Sequence, residues 1–306
     1  MAKMLSRVAP WLASRKDGAA TGAVEGLPEG IGVRVLQGAD TGALQELAGQ
    51  DAIANVFILS HLESAGTASP TAGGASIFGV FDGETLLGAC WAGANLVPVQ
   101  LDPEFAGLVA AVAHRSGRRY ASIFGPAETV QAIYAAMEQL GHDAQEIRGN
   151  QPLLAISGPP LLAPNPALGF GHLADFDRIL PACAAMFEEE VGYSPYLGGR
   201  EYYSRRVKGL IRAGHSLVHL GQNREVVFKA ELGAVTPEVT QVQGVWMDPA
   251  FRGLGLSAGY MAAVVVLAQT LAPVTSLYVN DFNTRARASY ERVGFHQVGT
   301  FATVLF

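Results

Sequence analysis

A glycine-containing turn between two apolar segments is the part of this sequence best suited to chemistry. The turn follows Asp248-Pro249 and reads Arg252-Gly253-Leu254-Gly255-Leu256-Ser257, and an Ala- and Val-rich segment comes next. The first amides of a helix have no intrahelical partner, and the helix dipole makes that end partly positive. Glycines let an anion approach the backbone closely, and the guanidinium of Arg252 adds a fixed charge. The turn therefore predicts a site for two adjacent phosphate groups that are held without a metal ion.

Two common phosphate-binding motifs do not fit this turn. No Gly-Lys-Ser/Thr follows it, which excludes a P-loop. The third glycine of a dinucleotide fingerprint is missing, because that position is Ala258. The pattern that fits is R-x-x-G-x-[GA], with Ser257 in place of the usual small last residue.

A second group of polar and aromatic residues follows further along the chain. The segment Ser276–Asn280 predicts a strand, and the residues after it read N-x-x-A-x-x-x-Y-x-x-x-G-F from Asn283 to Phe295. Positions 283, 286, 290 and 294 lie on one stripe of a helix. This spacing places Asn283 and Tyr290 on the same side of the predicted helix.

The two motifs together resemble those of the GNAT superfamily of acyl-CoA-dependent N-acyltransferases, over residues 169–306. The resemblance implies acetyl-CoA as co-substrate, no metal, and direct attack of a primary amine on the thioester in a ternary complex. It also implies that backbone groups of the motif strand hold the pantetheine arm and that the glycine turn holds the diphosphate. The residues it implies for CoA binding are Val245, Trp246, Met247, Arg252, Gly253, Leu254, Gly255, Leu256, Ser257, Asn280, Asn283 and Tyr290.

The candidate catalytic residues are Tyr290, which the resemblance implies, and Glu231 and Gln243, which are chosen from this sequence. The hydroxyl of Tyr290 would lie near the thioester sulfur and donate a hydrogen bond or a proton to the leaving thiolate. Many members of the superfamily use a Glu on the motif strand, but here that strand reads Gln241-Val242-Gln243-Gly244. We therefore expect Glu231, on the preceding strand, to act as the base through a water, with Gln241 or Gln243 orienting that water or the acceptor. The alternative is that Glu231 is a strand carboxylate facing solvent.

The order of predicted elements, β-α-β-β-β-α-β-α-β, occurs twice and predicts a tandem repeat of one α/β fold. The predicted elements include helices over Thr41–Ser60 and Gly253–Leu271 and strands over Val226–Val235 and Val239–Met247. Each copy is expected to be a mixed, mostly antiparallel sheet flanked by helices. In the first copy Asp102-Pro103-Glu104-Phe105-Ala106-Gly107 opens the helix in place of the motif, so this copy is not expected to bind CoA. The predicted domains are a flexible tail at 1–30, a degenerate GNAT-like domain at 31–158, a Pro-rich linker at 159–168 and the catalytic GNAT domain at 169–306.

Composition narrows the class of protein. The 306 residues are 49% hydrophobic and 16% charged, with a net charge of −6, which supports two apolar cores and argues against a nucleic-acid partner. The longest apolar run, Met261–Val274, is too short to cross a bilayer, so no membrane span is expected. The cysteines, Cys90 and Cys183, have no motif spacing and are expected to be buried thiols in a reducing cytoplasm. The predicted location is therefore cytoplasmic; the N-terminal tail could alternatively be a surface-docking amphipathic helix.

The sequence leaves the acceptor open between a small molecule and a protein lysine or N-terminus, and it leaves the oligomeric state open. Three glutamates at 188–190, close to several tyrosines, would suit a cationic amine. A different acyl donor remains an alternative, decided by the volume near Trp246 and Tyr290. A non-catalytic acyl-CoA sensor is the other alternative, and the missing strand carboxylate favours it.

Overall fold

The computed structural model describes residues 30–306, which divide into two compact units. The first unit runs through Leu153 and also contains Gly299–Phe306, and the second unit is Leu154–Val298. This division differs from the predicted linear one, in which the second domain runs to the end of the chain. Element order along the sequence cannot reveal that the last strand joins the first unit. Residues 1–29, which hold the predicted tail and the possible docking helix, lie outside the described residues.

The first unit is a mixed sheet flanked by helices, with strand order β1-β2-β3-β4-β5-β12-β6. Strands β4 and β5 are parallel, whereas β1–β2, β2–β3, β3–β4 and β5–β12 are antiparallel. Its strands, two of which extend into the second unit, are β1 (Ile31–Val35), β2 (Ser76–Asp82), β3 (Thr85–Ala92), β4 (Asn95–Val99), β5 (Ser122–Pro126), β6 (Glu146–Ile156) and β12 (His296–Leu305). Its helices are α1 (Thr41–Gly49), α2 (Val56–Ala65), α3 (Ala106–Arg115) and α4 (Ala127–Gln139).

Alternation along β2 explains how this sheet is covered on both faces. Phe78 and Val80 belong to a core cluster with α3 and α4, while Ile77 and Phe81 belong to a cluster with α1 and α2. Successive side chains of a strand point to opposite faces, so a strand such as β2 that is apolar on both faces requires a layer of helices on each side.

The second unit repeats this architecture with strand order β11-β10-β9-β8-β7. Strands β10 and β11 are parallel, and β7–β8, β8–β9 and β9–β10 are antiparallel. Its further strands are β7 (Gly169–Phe170), β8 (Ser216–Leu220), β9 (Val226–Val235), β10 (Val239–Met247) and β11 (Val274–Tyr278). Its helices are α5 (Phe176–Val191), α6 (Arg200–Arg212), α7 (Ser257–Ala268) and α8 (Thr284–Val293). In each unit, mixed and mostly antiparallel strands flanked by helices confirm the predicted fold class.

Helix α7 is the central helix of the second unit. The sequence predicts a helix from residue 253, but α7 begins at Ser257 because Gly253 and Gly255 have φ angles of +78° and +75°, which a right-handed helix does not allow. The helix is buried around most of its circumference, and its Tyr260 stacks on Phe228 of β9 at 4.6 Å between ring centroids. Of the helices within residues 30–306, none combines the length and apolar character needed to span a bilayer.

Candidate active site

Strands β10 and β11 pair only over their first residues and then separate. Their register ends at Gln241 opposite Ser276, although β10 continues to Met247 and β11 to Tyr278. A bulge accompanies the separation, because Gly244 and Val245 of β10 lie opposite Ala230 alone on β9. The edge of β10 beyond Gln241 therefore has no strand partner on the β11 side, and its backbone groups can pair with an extended ligand.

The bulge depends on glycine at position 244. Gly244 has a φ of +57°, in the left-handed region that other residues rarely adopt. A Cβ there would lie 3.0 Å from Cε of Met186 and 3.2 Å from Nζ of Lys229. Conformation and space thus both require glycine where the strand opens.

The open strand leads directly into the predicted phosphate turn. Asp248 accepts a hydrogen bond from the amide of Ala250 at 2.8 Å and begins a short 3₁₀ turn, Pro249–Phe251. Among the described residues, the amides of 253–257 have no hydrogen-bond acceptor, and no side chain caps α7. A Cβ at Gly253 or Gly255 would meet nothing within 4 Å, so the space beside the turn is open. Free amides at a helix N-terminus beside open space fit a diphosphate.

The first unit contains the same turn without the phosphate-binding residues. Asp102 accepts a hydrogen bond from the amide of Glu104 at 2.9 Å and begins a 3₁₀ turn, Pro103–Phe105, like that after Asp248. There, however, α3 starts at Ala106, directly after the turn, whereas residues 252–256 separate the turn from α7 in the second unit. The amide of Ala106 is bonded to the carbonyl of Pro103. This helix start consequently lacks the free loop amides that the second unit offers.

Arg252 is held in place by three groups. Its Nε donates to the carbonyl of Met247 at 2.8 Å, and its Nη2 donates to both carboxylate oxygens of Glu189 at 2.9 Å. The guanidinium carbon lies 5.9 Å from the ring centroid of Trp246. The resemblance assigns the backbone of Met247 to the pantetheine arm, but its carbonyl already accepts a hydrogen bond from Arg252.

The second motif spans the end of β11 and helix α8, and its two main residues lie in different environments. The strand predicted over Ser276–Asn280 lies two residues earlier, at Val274–Tyr278. Asn283 precedes α8, and its side-chain oxygen accepts a hydrogen bond from the amide of Ala286 at 3.2 Å, so it caps the helix. The amide of Asn283 donates to the carbonyl of Asn280 at 3.0 Å. Tyr290 is buried in the apolar core of the second unit, and its hydroxyl has no hydrogen-bond partner among the described residues. Burial raises the pKa of Tyr290 to about 12, with a smaller contribution from Glu190.

Glu231 is part of a buried ion pair. Its Oε1 accepts a hydrogen bond from Nζ of Lys229 at 2.7 Å, and the two side chains are 1% and 0% exposed. Arg206 lies 3.6 Å from Oε2, which has no hydrogen-bond partner among the described residues. Burial acts to raise the pKa of Glu231, but Lys229 and Arg206 outweigh it and hold the pKa below its ordinary value. The alternative of a solvent-facing carboxylate was therefore wrong.

Gln243 lies beside this pair. It is in register with Glu231 across β9 and β10, and it is half-buried. Its side-chain amide covers Gly233, where an added Cβ would lie 2.3 Å from the Gln243 side-chain oxygen. The structure thus brings Gln243 and Glu231 to neighbouring positions on one face of the sheet.

Aromatic side chains of α5, α6 and the segment between them lie near the buried pair. Tyr203 donates a hydrogen bond from its hydroxyl to the carbonyl of Cys183 at 2.8 Å, and its ring lies 6.0 Å from those of Phe187 and Tyr196. The guanidinium of Arg200 lies 5.4 Å from the ring centroid of Tyr196. Phe187, Tyr196 and Tyr203 therefore form an aromatic wall near the buried pair.

Neither cysteine is prepared to act as a nucleophile. Cys90 and Cys183 are buried, and burial raises the pKa of each thiol to about 12. Within residues 30–306, no group of three or more His, Cys, Asp or Glu side chains is arranged to hold a metal ion.

Sequence reasoning missed Lys229, and it grouped Glu189 with the glutamates suited to a cationic amine without predicting its contacts with Trp246 and Arg252. Lys229 and Glu231 are alternate residues of a strand, and opposite charges at that spacing share one face, which was a usable signal for an ion pair. Glu189 carried no such signal, because its partners Trp246 and Arg252 lie far from it in sequence.

Comparison with protein families divides the chain into two matched segments. Residues 184–295 match the acetyltransferase (GNAT) family, and residues 75–179 match a domain of unknown function, DUF4081. No curated protein matches the chain.

Similar solved structures cover nearly the whole chain. A GCN5-related N-acetyltransferase from Sphaerobacter thermophilus is 18% identical with a TM-score of 0.59, over 91% of this chain and 96% of that chain. A GNAT-family acetyltransferase from Colwellia psychrerythraea is 13% identical with a TM-score of 0.53, over 90% and 99%. A tandem GNAT protein from the clavulanic acid biosynthesis pathway is 14% identical with a TM-score of 0.52, over 89% and 98%. Residues 184–295 are therefore a GNAT acetyltransferase domain, in a chain that has the tandem GNAT fold.

Proposed function

We propose that this protein transfers an acetyl group from acetyl-CoA to a primary amine by direct attack in a ternary complex formed by the second unit. The observation that carries the proposal is the continuity between the open edge of β10 and the free amides of 253–257. An extended arm ending in a diphosphate matches that continuity, with the arm against residues 245–247 and the diphosphate on the turn. Asn280 lies two residues after β11 and Asn283 lies directly before α8, and we propose that both contact the arm.

The reaction forms a C–N bond and breaks a C–S bond. The acceptor's ammonium group loses one proton to become a nucleophile, and its nitrogen attacks the thioester carbonyl carbon. The nitrogen loses a second proton as the C–S bond breaks and CoA leaves as a thiolate. One group must therefore stabilise the thiolate, and a path must carry protons from the acceptor nitrogen.

Tyr290 is proposed to stabilise the thiolate by a hydrogen bond. Its buried hydroxyl has no partner among the described residues, so it is available to a sulfur atom. With the pKa of Tyr290 raised to about 12, full proton transfer to a thiolate with a pKa near 8.5 would cost about 5 kcal/mol. Donation of a hydrogen bond has no such cost, and the thiolate can take its proton from solvent.

Glu231 and Gln243 are proposed to organise the proton path. Oε2 of Glu231 has no hydrogen-bond partner among the described residues and can bind a water. Because its pKa is held low, a proton passes along such a water to solvent and does not rest on the carboxylate. The half-buried amide of Gln243 can orient the water or the acceptor.

A non-catalytic acyl-CoA sensor is the second candidate. The burial of Glu231 and its pairing with Lys229 favour it, because they leave no free carboxylate on β9 or β10. The two functions differ in one observable, which is whether any amine accelerates thiol release.

The experiment is a screen of amine acceptors with acetyl-CoA, in which thiol release is measured with and without each amine. We expect amine-dependent release in the wild type and a reduction of kcat by about 10²-fold in Tyr290→Phe. Tyr134→Phe, in the first unit, is the control and should leave kcat unchanged. Equal turnover in Tyr290→Phe would remove its role. CoA binding that no amine converts into turnover would support the sensor.

A further inference from the structure

Glu189 connects the last turn of α5 to the beginning of the phosphate turn. Its Oε1 accepts hydrogen bonds from Nε1 of Trp246 at 3.0 Å and from Nη2 of Arg252 at 2.9 Å. Its Oε2 accepts from the same Nη2 at 2.9 Å. The strand residue that borders the opening and the arginine of the phosphate motif therefore share one carboxylate.

The carboxylate of Glu189 binds the guanidinium of Arg252 in the way that a phosphate group would. Carboxylates and phosphates bind guanidinium groups with similar charge-assisted hydrogen bonds. The negative charge of Glu189 also cancels the positive charge that Arg252 offers to an incoming anion. The guanidinium and the carboxylate are 44% and 48% exposed, so solvent and a ligand can reach both groups.

We propose that Glu189 is an internal competitor for Arg252, which the donor's diphosphate must displace, so that Glu189 sets the affinity for CoA. The inference rests on the proposed function. Glu189 then acts through Arg252 as a positioning residue and does not touch the reacting atoms. Weaker retention of CoA favours release of the product after each turnover.

The last turns of α5, which contain Glu189, also lie near Tyr290, where we propose that the thioester binds. Glu190, the next residue of α5, lies close enough to Tyr290 to act on it electrostatically. Phe187, two residues before Glu189, belongs to the aromatic wall, and its ring centroid lies 6.0 Å from that of Tyr203. It also lies 5.5 Å from the ring centroid of Tyr193. One turn of α5 therefore lies next to the phosphate turn through Glu189 and next to Tyr290 through Glu190.

The test compares CoA with pantetheine, which lacks the diphosphate, in titrations of the full-length protein. An exposed ion pair contributes little, so Glu189→Gln should bind CoA about two- to fivefold more tightly than the wild type. Its affinity for pantetheine should not change. Glu188→Gln, which removes the same charge from the neighbouring position, should leave the affinity for CoA unchanged. In an Arg252→Gln background, Glu189→Gln should have no effect.

Three results would overturn the inference alone: unchanged or weaker CoA binding by Glu189→Gln, an equal gain for pantetheine, or an equal gain in Glu188→Gln. Each requires that the wild type binds CoA. A wild-type protein that does not bind CoA would refute the proposed function and this inference together.

Discussion

Replacing Lys229 with methionine should strongly destabilise the second unit. Lys229 and Glu231 are fully buried and 2.7 Å apart, so removal of the ammonium leaves a buried carboxylate whose one remaining cation within residues 30–306 is Arg206, 3.6 Å away. The thiol of Cys183, which donates a hydrogen bond to Oε1 at 3.4 Å, is neutral and does not replace the lost charge. At an effective dielectric constant of about 20, the lost attraction is on the order of 6 kcal/mol. Part of that attraction offsets the desolvation of the two charges in the folded protein. The net cost of removing one partner of a buried pair is therefore smaller, about 3–5 kcal/mol.

Urea unfolding, monitored by hydrogen exchange in peptides from β9 and β10, measures this loss in the free energy of unfolding within the second unit. We expect a loss of about 3–5 kcal/mol in Lys229→Met. Lys208→Met is the control, because the Lys208 ammonium lies 4.5 Å from the ring centroid of Phe176 and has no ion pair within residues 30–306, so its removal should cost less than about 1 kcal/mol. The double variant Lys229→Met/Glu231→Leu removes both charges and should be more stable than Lys229→Met alone. A cost below about 1 kcal/mol for Lys229→Met would refute the reasoning.

The stability difference between the wild type and Lys229→Met should depend on pH, and the pKa of Glu231 determines the direction of that dependence. In the wild type the pKa of Glu231 is lowered, so its stabilising contribution is present above the ordinary glutamate pKa and is lost as the pH falls through the folded-state pKa. Without Lys229, burial should raise the pKa of Glu231, and protonation then relieves the penalty. The difference in stability between wild type and Lys229→Met should therefore narrow as the pH falls. A constant difference would contradict this explanation.

Three further predictions concern Gly244 at the bulge of β10, Tyr290 and Asn283. Gly244→Ala should cost about 1–2 kcal/mol and abolish acetyl transfer, because its φ of +57° and the nearby Met186 both oppose a Cβ; normal activity would contradict the role of the bulge. Since burial raises the pKa of Tyr290 to about 12, kcat should not decline around pH 10; a decline with a pKa near 10 would show an accessible phenol. Asn283→Ala should cost about 1 kcal/mol in thermal unfolding through loss of its helix cap; unchanged stability would contradict the capping geometry.

The sequence was sufficient to predict the parts of the site that depend on local chemistry. The position of Tyr290 in α8 follows from helical spacing. The start of α7 was predicted four residues too early, because glycine permits the positive φ angles of Gly253 and Gly255 but does not dictate them. The strand limits of β9 and β10 were predicted as the structure has them, because both segments are apolar runs that end at turn residues.

Properties that depend on distant contacts were not predictable in this way. Nothing near Glu189 in sequence indicates that it binds Arg252, and nothing in the last strand indicates that Gly299–Phe306 joins the first unit. The helix predicted over 41–60 is two helices, α1 and α2, because the chain turns at residues 51–55, where Asp51 accepts a hydrogen bond from the amide of Ala54. Tertiary packing decided the first two of these features, whereas a local turn at Asp51 ended α1.

A crystal structure of the protein with bound CoA tests the central claim most directly. We expect the diphosphate to accept hydrogen bonds from the amides of 253–257, and the pantetheine arm to lie along residues 245–247 with its sulfur near the hydroxyl of Tyr290. Density for CoA in the first unit, or on the second unit away from this turn, would contradict the account.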